Sequence, residues 1–317
     1  MKEKPEKLNL IIGLLIILIF IAFSFLKFPI FEFIERNVYD IETVLCRPST
    51  DKPPQIALIE IDDKSINQLG KWPWPRLFLA QMIDLLDKNG VKLIGLNIPL
   101  QSQDQNQVFD EIKAFQKKID VYPPIQKNTG LKNWLIENLN QIIEKFDNNL
   151  ILVNSVKKAR KIVLPAISSI GSDKQLSSSD DPYFSKCFIT SSAISNKLFE
   201  KISANEITPP FPELAQNALG FGHNILSTDD VMGVRLHPLF INYKGALFPS
   251  FPLRLAIAYL NLDTKQTIAS ENKLQLGGES IPLINGKMLI IFSDSKKKFL
   301  RFSFFDLLNF SNLLMKR

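Results

Sequence analysis

The chain has 317 residues, of which 45% are hydrophobic and 22% charged, so its composition supports a folded core and argues against disorder. Its formal net charge is +6, and the lysines are scattered along the chain, so we expect no nucleic-acid partner. With two histidines and no Cys-x-x-Cys pair, the sequence offers no zinc site, and we predict no cofactor.

The N-terminus predicts a membrane anchor at residues 8–28. Residues 1–7 carry three lysines, and the run that follows, 8–26, is uncharged and long enough to span a bilayer core. The lysines place residues 1–7 in the cytoplasm and residues 29–317 outside the membrane. A cleaved signal peptide is the alternative. We favour the anchor because the run is long for a signal peptide and no small-residue cleavage site follows it.

Helical spacing over residues 31–45 and a Pro-rich linker lead to a continuous apolar run, Ile56–Ile61, that ends in Asp62 and Asp63. Such a run is typical of a buried parallel strand, and ligands of α/β sheets gather where strands end. A short polar helix closed by Gly70 follows, and then a rigid corner, Trp72–Arg76, in which two prolines fix the backbone.

The next elements predict a βαβ unit. A helix over Leu77–Lys88 leads to a second apolar strand, Val91–Leu96, and a crossover of this length makes the two strands parallel. Asn97, at the end of the second strand, should then lie beside Asp62 and Asp63.

The rest of the chain completes the fold prediction, which is of the α/β class: a parallel-containing central sheet flanked by helices, with a C-terminal β-hairpin. The predicted elements are helices at 108–119 and 131–146, a helix from Asp147 to Arg160, a third parallel strand at Lys161–Ala166, a loop at Ser168–Pro182, a helix at Pro212–Leu219, a turn at Gly220–Asn224, a strand at Val234–Tyr243, a helix at Phe251–Leu260 capped by Ser250, a hairpin around Asn285–Gly286, and a final helix capped by Ser303.

The two cysteines, Cys46 and Cys187, could pair in an oxidising compartment, but their separation in sequence says nothing about geometry. We favour two buried thiols.

The segment Ile61–Arg76 resembles the signature of the second type of CHASE domain, an extracytoplasmic sensory domain attached to bacterial adenylate cyclases and histidine kinases. The matching residues are Ile61-Asp62-Asp63, Ser65, Leu69-Gly70 and Trp72-Pro73-Trp74-Pro75-Arg76. In outline the resemblance extends over residues 31–310, with further specific matches at Leu219-Gly220, Gly222-His223, Asp229–Arg235 and Ile281–Leu283.

The resemblance implies a non-enzymatic, ligand-binding domain in the periplasm or outside the cell. The anchor predicted from the N-terminal sequence would attach it to the inner membrane by one helix. The chain departs from the family at Asn97, where an Asp is usual, and at Met232 before the Gly of the Asp230–Arg235 motif. The further membrane helices and output domain that usually follow are not seen in the sequence. We therefore expect a separate signalling partner, a kinase or a cyclase, or else a truncated relic; a homodimer is also compatible with the resemblance.

The candidate site for a small-molecule ligand comprises Asp62, Asp63, Trp72, Trp74, Arg76, Asn97, Asp230 and Arg235. Each has a structural alternative. One aspartate could pair with Arg76 while Asp63 or Ser65 caps the following helix, the indoles could pack a corner onto the core, and Asp230 and Arg235 could form a local ion pair. His223 is interpreted as a structural histidine of a turn, since no nucleophile elbow accompanies it.

Three functions therefore remain open. The first is an extracytoplasmic sensor of bacterial signal transduction without its own output domain. The second is an extracytoplasmic metal-dependent hydrolase using Asp62 or Asp63. The third is a structural or dimerisation module of the cell envelope.

Overall fold

The computed structural model describes residues 4–25, 34, 38, 41, 55–104, 107–169, 187–189, 203–226, 235–263, 267–269, 272–284, 286–290 and 299–315. The helices are α1 (Lys4–Phe25), α2 (Asp63–Leu69), α3 (Arg76–Lys88), α4 (Gln107–Val121), α5 (Pro123–Gln126), α6 (Thr129–Phe146), α7 (Asn148–Ala159), α8 (Pro212–Asn217), α9 (Phe251–Tyr259) and α10 (Phe304–Met315). The strands are β1 (Ala57–Glu60), β2 (Ile94–Gly95), β3 (Ile162–Ser169), β4 (Glu206–Thr208), β5 (Gly220–His223), β6 (Leu236–Pro238), β7 (Phe240–Tyr243), β8 (Ala246–Pro249), β9 (Thr267–Ala269), β10 (Lys273–Leu276), β11 (Glu279–Ile284), β12 (Lys287–Leu289) and β13 (Leu300–Ser303).

The chain separates into two compact units, residues 1–57 with 291–300 and residues 58–290 with 301–317. Helix α1 belongs to the first unit and covers most of the predicted anchor. Over the part of the chain that the structure describes, none of the helices is long and apolar enough to cross a membrane. The anchor at residues 8–28 and its orientation stay predictions.

The second unit confirms the α/β class, but its described strands form several small sheets instead of one central sheet. In the mixed sheet, β3 runs parallel to β2 and β5 and antiparallel to β4. The five-stranded sheet is antiparallel, in the order β6-β12-β11-β10-β9. It contains the predicted hairpin, β11–β12, and Gly286 in its turn has a φ of 75°. Strands β7 and β8 form a further antiparallel pair.

The predicted parallel pairing of the first two strands is wrong. Strand β1 pairs with β13, near the other end of the sequence, and β2 pairs with β3. Strand β2 has only two residues, and both pair with β3. A local βαβ rule cannot foresee that the partner of β1 is β13, from the other end of the sequence. Asn97 consequently does not follow a neighbour of β1, and its side chain is exposed.

The predicted turn at Gly220–Asn224 is also wrong, because Gly220–His223 is the buried strand β5. The glycines provide room for close packing and do not serve to reverse the chain. A Cβ atom at Gly222 would lie 2.6 Å from the Phe251 nitrogen, and one at Gly220 would lie 2.3 Å from Arg254 Nε. Two glycines on one face of β5 thus allow α9 to lie directly against the strand.

The predicted single strand Val234–Tyr243 is two strands that belong to different sheets. Strand β6 pairs with β12, whereas β7 pairs with β8. The change occurs at Leu239, whose buried carbonyl accepts a hydrogen bond from the Ser250 amide at 2.8 Å. The alternation of apolar residues therefore continues through a point where the backbone changes its partner.

Most of the predicted helices are confirmed, and two apolar cores hold the second unit together. The first core contains the buried face of α3, with Leu79, Met82 and Ile83 as predicted, together with α7, β3 and β5. The second core lies between α9 and the five-stranded sheet. Cys187 is buried in the first core, as expected. Cys46, Asp230 and the greater part of the predicted loop at Ser168–Pro182 lie outside the described residues, so the cysteine pairing stays untested.

Candidate functional site

Asp62 lies two residues after β1 and caps α2. Its Oδ1 accepts a hydrogen bond from the Ser65 amide at 2.9 Å, which satisfies one of the unpaired amides of the first turn. The sequence placed the cap at Asp63 or Ser65, and the structure corrects this to Asp62. Asp63 is instead the first residue of the helix, with an exposed side chain.

Ser65 connects this cap to the last helix of the chain. Its hydroxyl is fully buried, donates to Asp62 Oδ1, and lies 3.1 Å from the hydroxyl of Ser303. It also accepts a hydrogen bond from the Phe305 amide, in the first turn of α10, at 3.0 Å. The prediction that Ser303 caps the final helix is therefore corrected: Ser65 receives the amide, and the Ser303 hydroxyl donates to Asp62 at 3.0 Å.

Three hydrogen bonds thus converge on the Asp62 carboxylate. The pKa of Asp62 lies below its ordinary value, chiefly because the Ser65 hydroxyl and then the Ser65 amide donate to the charged form, while partial burial opposes them and Ser303 adds to them. The group is ionised at neutral pH and acts as an acceptor. It holds the start of α2 and the start of α10 in one polar cluster.

The tryptophan corner packs on α10. Trp74 is buried, with its ring centroid 5.2 Å from that of Phe304, and its Nε1 donates to the Gly70 carbonyl at 2.6 Å. Trp72 stands edge-on to Trp74 at 5.3 Å and keeps 38% of its surface exposed. The packing interpretation therefore describes Trp74, whereas Trp72 retains an accessible face.

Exposed ion pairs follow the contact between the signature segment, residues 61–76, and the C-terminal end of the chain. Lys64 lies 2.6 Å from Asp306 on α10, and Arg301 on β13 lies 2.6 Å from Glu60 on β1. All four side chains are about half exposed, so each pair adds little stability. They nevertheless add contacts from α2 to α10 and from β1 to β13.

Arg76, unlike Trp74, binds residues of the loop after β2 and of α7. Its Nε lies 3.1 Å from Asp104 Oδ1, and its remaining nitrogens donate to Asn149 Oδ1 at 2.7 Å and to the Ser102 carbonyl. The guanidinium stacks 5.0 Å above the Phe211 ring and is only 6% exposed. The predicted pairing of Arg76 with Asp62 or Asp63 is therefore wrong. Burial lowers the Arg76 pKa, while Asp104 and Asp147 raise it, and the group remains a cation.

The structure thus divides the eight predicted site residues. Asp62 accepts a hydrogen bond from Ser303 and Trp74 packs on Phe304, while Trp72 packs edge-on against Trp74. Asp63 is exposed in the first turn of α2, Arg76 is bound by Asn149 of α7, and Asn97 is exposed beyond β2. Arg235 precedes β6, where its carbonyl accepts from the Ile290 amide, and Asp230 lies outside the described residues. Sequence reasoning missed Ser303, Asp104 and Asn149, because their contacts with the signature segment are long in range and have no local pattern.

No group of three or more His, Cys, Asp or Glu side chains suited to a metal ion is present among the residues that the structure describes. The described part of the site is a set of packing and hydrogen-bonding contacts between the signature segment and the C-terminal helix. Its features are those of a structural junction in an α/β domain.

Comparison with known protein families matches the CHASE2 domain over residues 12–316. The chain belongs to this family, whose members are generally extracytoplasmic sensory domains of signalling proteins and which is not a catalytic family. Neither the curated proteins nor the solved structures contain a match to the chain.

Proposed function

We propose that the chain is a membrane-anchored extracytoplasmic sensory domain that binds a small-molecule ligand and reports it through the position of α10. The observation that carries this proposal is the hydrogen bond from the Phe305 amide to Ser65. Through this bond the signature segment forms part of the surface on which the last helix packs. A ligand that favours one arrangement of this packing surface shifts the population of α10 positions.

The residues that contact the ligand are those members of the predicted site whose side chains are exposed to solvent. Asp63, Trp72 and Asn97 are exposed, whereas Trp74 and Arg76 are buried and already have partners. Trp72 offers a ring for stacking and Asp63 an exposed carboxylate, groups suited to an organic ligand with a cationic or hydroxyl group. A separate kinase or cyclase would receive the signal, and the uncharged run at residues 8–26 supports the anchor.

A thermal-shift screen of the full chain in detergent tests the proposal, with amino acids, sugars, nucleotides, organic acids and divalent metals as the panel. A ligand at about a hundred times its dissociation constant adds about 2.7 kcal/mol to the free energy of unfolding. We expect an organic hit that Trp72→Ala abolishes and that changes hydrogen exchange in α10. A hit that leaves α10 unchanged contradicts signalling through this helix, and a metal hit lost in Asp62→Asn favours the hydrolase alternative.

One observation favours the structural module as a second candidate. Helix α6 has 18 residues, none of them buried, and it exposes 59% of Trp134 and 56% of Phe146. Large exposed aromatic side chains on one element are typical of a surface that another molecule covers. If the ligand panel gives no stabilisation and Trp134→Glu abolishes self-association in sedimentation, the structural function replaces the sensory one.

A further inference from the structure

The two histidines of the chain, distant from the signature segment, lie against each other in the interior. The ring centroids of His223 and His237 are 6.1 Å apart, and the rings are 0% and 5% exposed respectively at the residue level. His223 is the last residue of β5 in the mixed sheet, and His237 is the middle residue of β6 in the five-stranded sheet. The pair therefore joins two sheets that are not hydrogen-bonded to each other through these strands.

The hydrogen bonding of His223 defines its tautomer. The Ile225 amide donates to His223 Nδ1 at 3.3 Å, so the ring proton is on Nε2. Within the described part of the chain, the Nε2 atoms of both rings are buried and have no hydrogen-bond partner. A metal ion bound at His223 Nε2 would need the proton on Nδ1, facing the Ile225 amide, so the arrangement does not suit a metal-ligating pair.

Among the residues that the structure describes, the elements packed around the pair supply no anion to neutralise a charged imidazole. The strands and helix that pack around the pair, namely β3, β5, β6, β7, β8, β12 and α9, contain no Asp or Glu. Their charged groups are Lys287 on β12 and Arg254 on α9, and Arg235 precedes β6; all three are cations. The neighbours of the rings are apolar, with Phe248 6.5 Å from His223 and Met288 opposite His237 in the β6–β12 ladder.

Both rings are neutral at neutral pH for this reason. Burial, and secondarily the proximity of His237, lowers the pKa of His223 from 6.5 to about 3. Burial also lowers the pKa of His237 below its ordinary value. A proton on either ring would leave a buried cation against a second imidazole, with no carboxylate on the elements named above.

We propose that the His223–His237 pair is an acid-sensitive joint between the mixed sheet and the five-stranded sheet. At neutral pH the two neutral rings pack together and hold β6 against β5. In an acidic medium the separated rings bind protons more tightly than the packed rings do, so the equilibrium shifts toward the state in which β6 and β5 are separated. This shift gives an extracytoplasmic domain a response to the pH of its surroundings.

The direction in which pH changes the stability of the joint follows from the lowered pKa values. A ring freed by opening has a pKa of about 6.5, whereas the packed rings bind a proton only at lower pH. The contribution of the pair to stability is complete above about pH 6.5 and is lost as the pH falls below it. Opening becomes about tenfold more favourable per pH unit for each ring in this window, down to the pKa of the packed ring.

Hydrogen exchange of the full chain at pH 7.5, 6.5 and 5.5, corrected for the intrinsic rate, tests the joint. We expect protection factors in β6 and β12 to fall at least tenfold between pH 6.5 and 5.5, while those in α3 and α7 change by less than threefold. The double variant His223→Gln with His237→Gln is the control, because the chain contains no other histidine, and we expect its protection to be independent of pH. A uniform fall across all elements, or an equal fall in the double variant, overturns the proposal.

A second measurement does not depend on the folding of the variant. The Cε1 protons of the two rings in the natural chain are followed by NMR over the same pH range. We expect the folded-state signal of His223 not to titrate above pH 5.5 and that of His237 to titrate below the ordinary midpoint of about 6.5. A folded-state midpoint near pH 6.5 for both rings would show that they are not buried as neutral groups, and the joint would be refuted.

Discussion

The backbone amide of Phe305 donates a hydrogen bond to the hydroxyl of Ser65 at 3.0 Å, across 240 positions of sequence. The first amides of a helix have no partner within it, and a residue next to the helix usually supplies one. Here the partner of α10 comes from α2, inside the signature segment. The start of the last helix therefore depends on a residue near the beginning of the second unit.

The substitution Ser65→Ala should release α10. It removes the fully buried acceptor of the Phe305 amide and leaves that amide unpaired at a partly buried position, so we expect the free energy of unfolding to fall by about 1 to 3 kcal/mol. Urea unfolding followed by tryptophan fluorescence measures the loss, since Trp74 packs on Phe304. Ser303→Ala, which leaves the Phe305 bond in place, is the matched control and should cost less. Equal losses in the two variants would contradict the central position of Ser65.

Asp62 offers a test that separates a structural role from ligand binding. Asparagine caps helices about as well as aspartate, so Asp62→Asn should change the urea midpoint less than Asp62→Ala does. A ligand that needs the carboxylate would instead be lost in both variants. Because the pKa of Asp62 is lowered in the folded chain, its contribution is present above about pH 4 and is lost as the pH falls below that value. The Asn variant should lack this acid-dependent part, and a midpoint equal to that of Ala would argue against the cap.

Arg76→Lys should be destabilising although it keeps the charge. A lysine ammonium cannot reach Asp104, Asn149 and the Ser102 carbonyl together, nor stack flat on Phe211. We expect a loss of about 2 kcal/mol in chemical unfolding, from the lost hydrogen bonds and ring stacking of a buried guanidinium. Arg301→Lys, at an exposed pair with Glu60, is the control and should change stability by less than about 0.5 kcal/mol. Similar values for the two arginines would mean that the Arg76 contacts contribute no more than a surface pair.

Gly222→Ala tests the close packing of α9 on β5. The new Cβ would lie 2.6 Å from the Phe251 nitrogen and 2.7 Å from the Ser250 carbonyl oxygen, both backbone atoms that cannot rotate away. We expect a loss of about 3 kcal/mol or more, or a failure to fold, measured by thermal unfolding with circular dichroism. Gly278→Ala, where the added Cβ meets nothing within 4 Å, should be near neutral. A stable Gly222→Ala chain would show that α9 can withdraw from the strand.

The helices were predictable because their determinants are local. The spacing of Leu79, Met82 and Ile83 gives the buried face of α3, Asp147 and Ser250 cap α7 and α9, and the backbone at Gly70 and Gly90 requires positive φ. The hairpin β11–β12 was predictable for the same reason, since turn residues separate two apolar runs by a short distance.

The strand partners and the site contacts were not predictable, because they join residues far apart in sequence. Nothing in the pattern of Ile56–Ile61 indicates that β13 will pair with it, and nothing near Arg76 indicates Asp104 and Asn149. The glycines of β5 misled the prediction, since glycine serves both turns and close packing and only the position of α9 distinguishes them. The family resemblance located the signature segment correctly, but the packing of that segment against α10 is visible only in the structure.

The pairing of β1 with β13 has a consequence for biosynthesis. A nascent chain emerging from the ribosome contains β1, α2 and the tryptophan corner long before residues 301–315 have been translated. Until then the edge of β1 lacks its strand partner and Trp74 lacks Phe304. Contacts of such long sequence separation form late and slowly, so the domain is expected to be vulnerable to proteolysis and aggregation until its synthesis reaches α10.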